Sequence, residues 1–108
     1  MTYFEIVDKI RETYEYGDAR HIYEHVAIQV NIVGEGSGAL YIEIAERSVC
    51  VEPYDYHDRD GLITIDGATV FDICDCKISY EEAKETGRLK YEGNYDKLLV
   101  LKSVIIKK

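Results

Sequence analysis

The sequence predicts an α+β fold: a five-stranded, mostly antiparallel sheet covered on one face by helices. Three observations predict it. Apolar residues alternate with period two in several short stretches and recur with helical spacing in others. Short turns join the first three strand stretches, as in an antiparallel meander. The element order, α-β-β-β-β-α-α-β-α, sets helices before, between and after the strands, which suits a sheet with a helical layer on one side. The 108 residues show no repeat, linker or shift in composition, so residues 1–108 read as a single domain.

Residues 2–14 read as the first helix. Thr2 and Glu5 have capping-box spacing, and Tyr3, Ile6, Val7, Ile10 and Tyr14 share one face. Gly17-Asp18 ends the helix, and Ala19 to Glu24 adds a helical turn. Val26, Ile28, Val30 and Ile32 then alternate with Ala27, Gln29 and Asn31, which makes 26–33 a strand. Gly34 to Gly38 is a turn. Leu40, Ile42 and Ile44 mark the strand 40–45, and Glu46-Arg47 turns the chain into 48–52, where Val49 and Val51 alternate with Cys50 and Glu52. Pro53 stops that strand, because it has no N–H for a ladder.

Tyr54 to Gly61 is a polar, aromatic loop, and 62–65 is the fourth strand. Residues 67–76 form a helix with Val70, Ile73 and Cys74 inward. Ser79 and Glu82 have capping-box spacing and open a short helix that Gly87 stops. The fifth strand is 89–92. Gly93-Asn94 leads into a last helix from Tyr95, with Leu98, Leu101 and Ile105 on one stripe; Val104 to Ile106 is β-branched and equally suits an extended chain.

Composition narrows the functional classes. Acidic residues outnumber basic ones by 21 to 13, a net charge of −8 spread along the chain. Such a surface repels phosphate backbones and anionic membranes, so neither nucleic acid nor stable membrane insertion is expected. The longest apolar run, Leu98 to Leu101, is far from the roughly 20 residues a membrane span needs. The N-terminus lacks the pattern of a secretory signal, which predicts a cytoplasmic protein with reduced thiols at Cys50, Cys74 and Cys76.

The stretch from Val51 to Asn94 carries a resemblance. It runs Val-Glu-Pro-Tyr-Asp-Tyr-His-Asp-Arg-Asp-Gly, then Leu-Ile-Thr-Ile-Asp, a helix pair, and Thr-Gly-Arg-Leu-Lys-Tyr-Glu-Gly-Asn. In that order it resembles the sterol carrier protein 2 family of small lipid-binding domains, and the likeness extends over about residues 24–104. The resemblance implies a cavity between sheet and helices that takes sterols, fatty acids or acyl chains. Two positions depart from the family pattern. Cys76 stands where the family has a glycine ending the first central helix, and Glu46-Arg47 replaces an Asp-Gly-like turn. The N-terminal segment is short, which suits a slim acyl chain better than a sterol.

Other residue clusters carry candidate chemistry. Gly34, Gly36 and Gly38 superficially match a dinucleotide loop, but a strand follows them instead of a helix, so they read as a hairpin turn. His21 and His25 would chelate a metal if helical, yet His25 opens a strand. The loop Tyr54-Asp-Tyr-His-Asp-Arg-Asp60 gathers carboxylates around His57 and reads as a solvated connector. Cys74-Asp-Cys76 is not a redox CxxC. No catalytic residue, metal or cofactor is predicted.

The reading is therefore a non-enzymatic carrier of an apolar lipid. The expected lining is Ile28, Val30, Ile42 and Ile44 from the sheet and Val70, Ile73, Leu98 and Leu101 from the helices. The alternative is an interaction module with a closed core that forms a homodimer through the apolar segment Val104 to Ile106.

Overall fold

Alternation becomes sheet at each stretch where it was expected. The computed structural model describes residues 1–15 and 17–104. Among the described residues, strands β1 (Val26–Val33), β2 (Gly38–Ala45), β3 (Ser48–Glu52), β4 (Gly61–Asp66) and β5 (Leu89–Gly93) form one sheet in the order β3-β2-β1-β4-β5. Helices α1 (Tyr3–Tyr14), α2 (Gly67–Cys74), α3 (Tyr80–Glu85) and α4 (Tyr95–Lys102) complete the predicted order. Neighbouring strands are antiparallel except β1 and β4, which run parallel and place Val30 beside Ile63 and Ile32 beside Ile65.

The inward residues of all five strands join the apolar stripes of α1, α2 and α4 in one core. The capping box of α1 is complete, with the Thr2 side chain accepting from the Glu5 N–H and the Glu5 carboxylate accepting from the Thr2 N–H. Gly36 lets α1 settle on the β1–β2 turn, since a Cβ there would stand 2.9 Å from Ile6 Cδ1. Of the helical turn expected over 19–24, the structure keeps one hydrogen-bonded turn, Ala19 to Ile22, closed by the Ile22 N–H on the Ala19 carbonyl at 2.9 Å, with no helix. Asp18 competes for that stretch by accepting from the Arg20 backbone and guanidinium, a local alternative to helix.

Helix α2 ends at Cys74, two residues short of the predicted 76. Its N-terminus is capped by Asp66, which accepts from the Thr69 N–H. Its C-terminus is a Schellman motif. The Cys76 N–H donates to the Ile73 carbonyl at 3.0 Å, and the Lys77 N–H donates to the Asp72 carbonyl at 2.8 Å. That motif requires a left-handed residue, and Cys76 supplies it at φ 59°. Helix α3 ends the same way on Gly87, at φ 79°.

The segment 53–60 is not merely solvated. Between β3 at one edge and β4 on the far side of β1, it crosses the outer face of β2 and β1. Tyr56 lies edge-on to Tyr41, with ring centroids 4.9 Å apart, and donates to Glu43 at 2.9 Å. Asp60 closes the crossing, accepting from the Ala27 N–H at 2.9 Å and donating its own N–H to the Ala27 carbonyl at 2.7 Å. This is why Ala27 and Gln29 are buried on a face that alternation alone would expose.

Candidate functional site

An apolar cleft lies between the inner face of the sheet and three helices. Its floor is Val30 of β1, Ile42 of β2, and Ile63 and Ile65 of β4. The strand registers bring these residues together: Val30 lies beside Ile63, and Ile42 pairs with Ile28, two positions before Val30 on the same face of β1. Ile10 and Tyr14, one turn apart on α1, form one wall. Val70, Ile73 and Cys74 form another, at the i, i+3, i+4 spacing of a single helix face. Tyr80, the first residue of α3, closes the ring. The free volume is about 30 Å³, whereas pockets for small-molecule ligands run to about 300–1,000 Å³. The interior is therefore closed by side chains.

The polar atoms of the lining side chains are the Tyr14 and Tyr80 hydroxyls and the Cys74 thiol. The two hydroxyls are 2.5 Å apart and hydrogen-bonded to each other. Burial holds the Tyr14 phenol well above its ordinary range and pushes Tyr80 up to about 12. Burial also raises the Cys74 thiol. All three are thus neutral near pH 7.

Tyr80 also borders two surface grooves of about 390 Å³ each. One runs along 76–82 and shares Tyr14 and Ile73 with the cleft. The other lies between α3 and α4, over Leu89 and Leu98.

Four of the expected lining residues, Val30, Ile42, Val70 and Ile73, meet around the cleft. Leu98 faces the groove between α3 and α4. Ile28, Ile44 and Leu101 are buried in the same core but border neither cleft nor grooves. Sequence reasoning did not assign Ile10, Tyr14, Ile63, Ile65, Cys74 and Tyr80 to the site. Ile63 and Ile65 were signalled by the alternation of the fourth strand, and Ile10 and Tyr14 by the apolar face of α1. Nothing in the local pattern marked Tyr80, which simply follows a helix cap.

The remaining clusters separate. His21 Nε2 lies 3.0 Å from the Ser103 carbonyl, while His25 Nε2 lies 2.7 Å from the Glu43 carboxylate. His57 and Asp58 are exposed on the outer loop. Among the described residues no three His, Cys, Asp or Glu side chains converge as a metal site, and no helix is long and apolar enough to cross a membrane. Val104 is buried, while Ile105 and Ile106 lie outside the described residues.

No family model matches the chain, and no curated protein does. Solved structures do. UbiJ-SCP2, a ubiquinone synthesis protein, superposes with a TM-score of 0.66 at 19% identity, over 92% of this chain and 90% of that one. The palmitated sterol carrier protein 2-like 2 from Aedes aegypti gives a TM-score of 0.60 at 15% identity, over 93% and 95%. The fold is that of sterol carrier protein 2. The same fold occurs within the inverting sec-alkylsulfatase Pisa1 from Pseudomonas sp., with a TM-score of 0.68 at 12% identity over 78% of this chain. This chain spans only 13% of the length of that enzyme.

Within this sterol carrier protein 2 fold, the two departures noted in the sequence keep the backbone of a glycine turn. Cys76 is left-handed, and Glu46 and Arg47 take φ 52° and 63°, the positive values that a type I′ hairpin turn requires at both central residues.

Proposed function

We propose that this chain binds a long apolar ligand, a fatty-acyl chain in preference to a sterol, between the sheet and helices α2 and α3. The observation that carries this reading is the cleft itself. Sheet and three helices converge on a space whose walls are aliphatic, with two neutral phenols and a thiol at its polar end. An apolar space of that kind favours an apolar guest over water, which needs polar partners. That the Aedes aegypti protein of the same fold carries palmitate supports the same reading.

At about 30 Å³ the cleft must widen to admit a chain. Helices α2 and α3 are eight and six residues long, and of α3 only Ala83 is fully buried. Such an element opens at low cost. A slim chain asks for less opening than a fused ring system. We assign ligand contact to Val30, Ile42, Val70 and Ile73, with Leu98 at the rim and Ile28, Ile44 and Leu101 supporting from behind. Burying about ten methylenes yields on the order of 8 kcal/mol gross. Ordering and association costs then leave affinity of roughly micromolar or weaker.

The reading is non-enzymatic. Protonated phenols and a protonated thiol are poor nucleophiles and poor bases near pH 7. Titration with a fluorescent fatty acid beside a fluorescent sterol tests the proposal. Saturable one-to-one binding of the fatty acid, with weaker sterol binding, is the expected result. No saturable binding of either would overturn it.

A further inference from the structure

The geometry points to the Tyr14–Tyr80 hydroxyl pair as the head-group subsite of the cleft, taking the uncharged carbonyl oxygen of a long-chain ester, aldehyde or ketone in preference to a free carboxylate. This inference rests on the lipid-binding reading and names the chemistry of the ligand's polar end.

The pair is built from two distant parts of the chain, the last residue of α1 and the first of α3. Both tyrosines border the interior cleft and also the groove along 76–82, so they stand where the one gives onto the other. A chain threaded into the cleft would leave its polar end at this junction.

Proton accounting selects an acceptor. Two phenols hold two donor hydrogens, and their mutual bond at 2.5 Å uses one of them. A carbonyl oxygen has two lone pairs. Placed between the hydroxyls it receives one bond from each phenol, exchanging the mutual bond for two. Burial keeps both phenols protonated at ordinary pH, so both hydrogens are present.

Charge accounting selects a neutral head. The cleft lining carries no charged side chain. The charged residues along the adjoining groove are Lys77 and Lys102 against Glu81 and Glu82, two cations and two anions. Lys102 is already paired with Glu81. No surplus positive charge waits for a carboxylate, and an uncompensated anion at an apolar site is costly. The chain as a whole is acidic, at −8.

The test is an NMR titration of the full chain with methyl laurate, laurate and dodecane at pH 7.5, in wild type, Tyr14→Phe and Tyr80→Phe. The ester should bind wild type about tenfold more tightly than laurate. Each Phe substitution should lower the ratio of ester to dodecane affinity about three- to tenfold, the usual worth of one hydrogen bond. Infrared spectra of carbonyl-labelled methyl laurate give a readout independent of the variants' folding. Bound to wild type, its carbonyl stretch should fall to lower frequency than in hexane. Equal binding of all three ligands by wild type and variants, an unshifted carbonyl, or a preference for laurate would overturn the subsite while the lipid reading stands. Failure of wild type to bind even dodecane and the ester would overturn the lipid reading, and the subsite with it.

Discussion

The half of the molecule built on β1, β2 and α1 is packed differently from the roof formed by α2 and α3. In the first half Ile6, Ile28, Leu40 and Ile44 are all under 2% exposed, locked between helix and sheet. In the roof Ile73, Ile78 and Tyr80 are only half-buried, and Cys76 holds a left-handed backbone without being glycine. The two halves meet at the cleft. The first half holds the fold, and the roof is the element whose displacement would admit a ligand at the least cost in packing.

The largest expected effect comes from truncating each half in turn. Ile44→Ala should cost about 3 kcal/mol, because the closed sheet–helix packing leaves a cavity that cannot collapse. Ile78→Ala, half-buried beside the roof, should cost about 1 kcal/mol or less. Denaturant midpoints of the two variants check this, and equal losses would erase the distinction. Next is Cys76→Gly. A left-handed non-glycine residue carries a penalty of about 1–2 kcal/mol, so this substitution should stabilise the protein by about 1 kcal/mol. A lowered midpoint would mean that the Cys76 side chain contributes packing beyond its backbone cost.

The last expected effect, no larger than that at Cys76, lies at Asp66, which caps α2 and so anchors the roof to β4. Burial pushes its carboxyl up, but the Thr69 hydroxyl at 2.5 Å and the Thr69 N–H, with Arg88 nearby, outweigh burial and hold it below its ordinary value of 3.8. A carboxyl lowered in the fold stabilises above its unfolded value, and that stability is lost as pH falls below 3.8 through the folded one. Asp66→Ala should cost about 1 kcal/mol at pH 7. Melting temperatures of wild type and Asp66→Asn should converge as the pH is lowered below 3.8. A gap that stays constant would remove the charged cap from the account.

Much of this arrangement was legible in the chain, because period and cap are local properties. Val26 to Val33 and Leu40 to Ile44 announce strands by alternation, and Thr2 with Glu5 announces the start of α1. What was not legible depends on partners distant in sequence. Alternation in 62–65 looks the same whether β4 joins β1 in parallel or antiparallel fashion. The crossing of 53–60 follows from that pairing, so the packing of Tyr56 on the sheet and the burial of Ala27 and Gln29 were hidden with it. The end of α2 rests on a left-handed Cys76, where side-chain identity pointed the other way. Tyr80 belongs to the cleft only because α3 returns it to Tyr14, 66 positions earlier in the chain.

The most direct test of the central claim, that an apolar chain lies under the roof, is methyl-resolved NMR during titration with a fatty-acyl ligand. Methyl signals of Val30, Ile42, Ile63, Ile65, Val70 and Ile73 should shift together and saturate at one ligand per chain, while those of Ile28 and Ile44 move less. Shifts confined to exposed Val33 and Leu99, or shifts that never saturate, would contradict the claim.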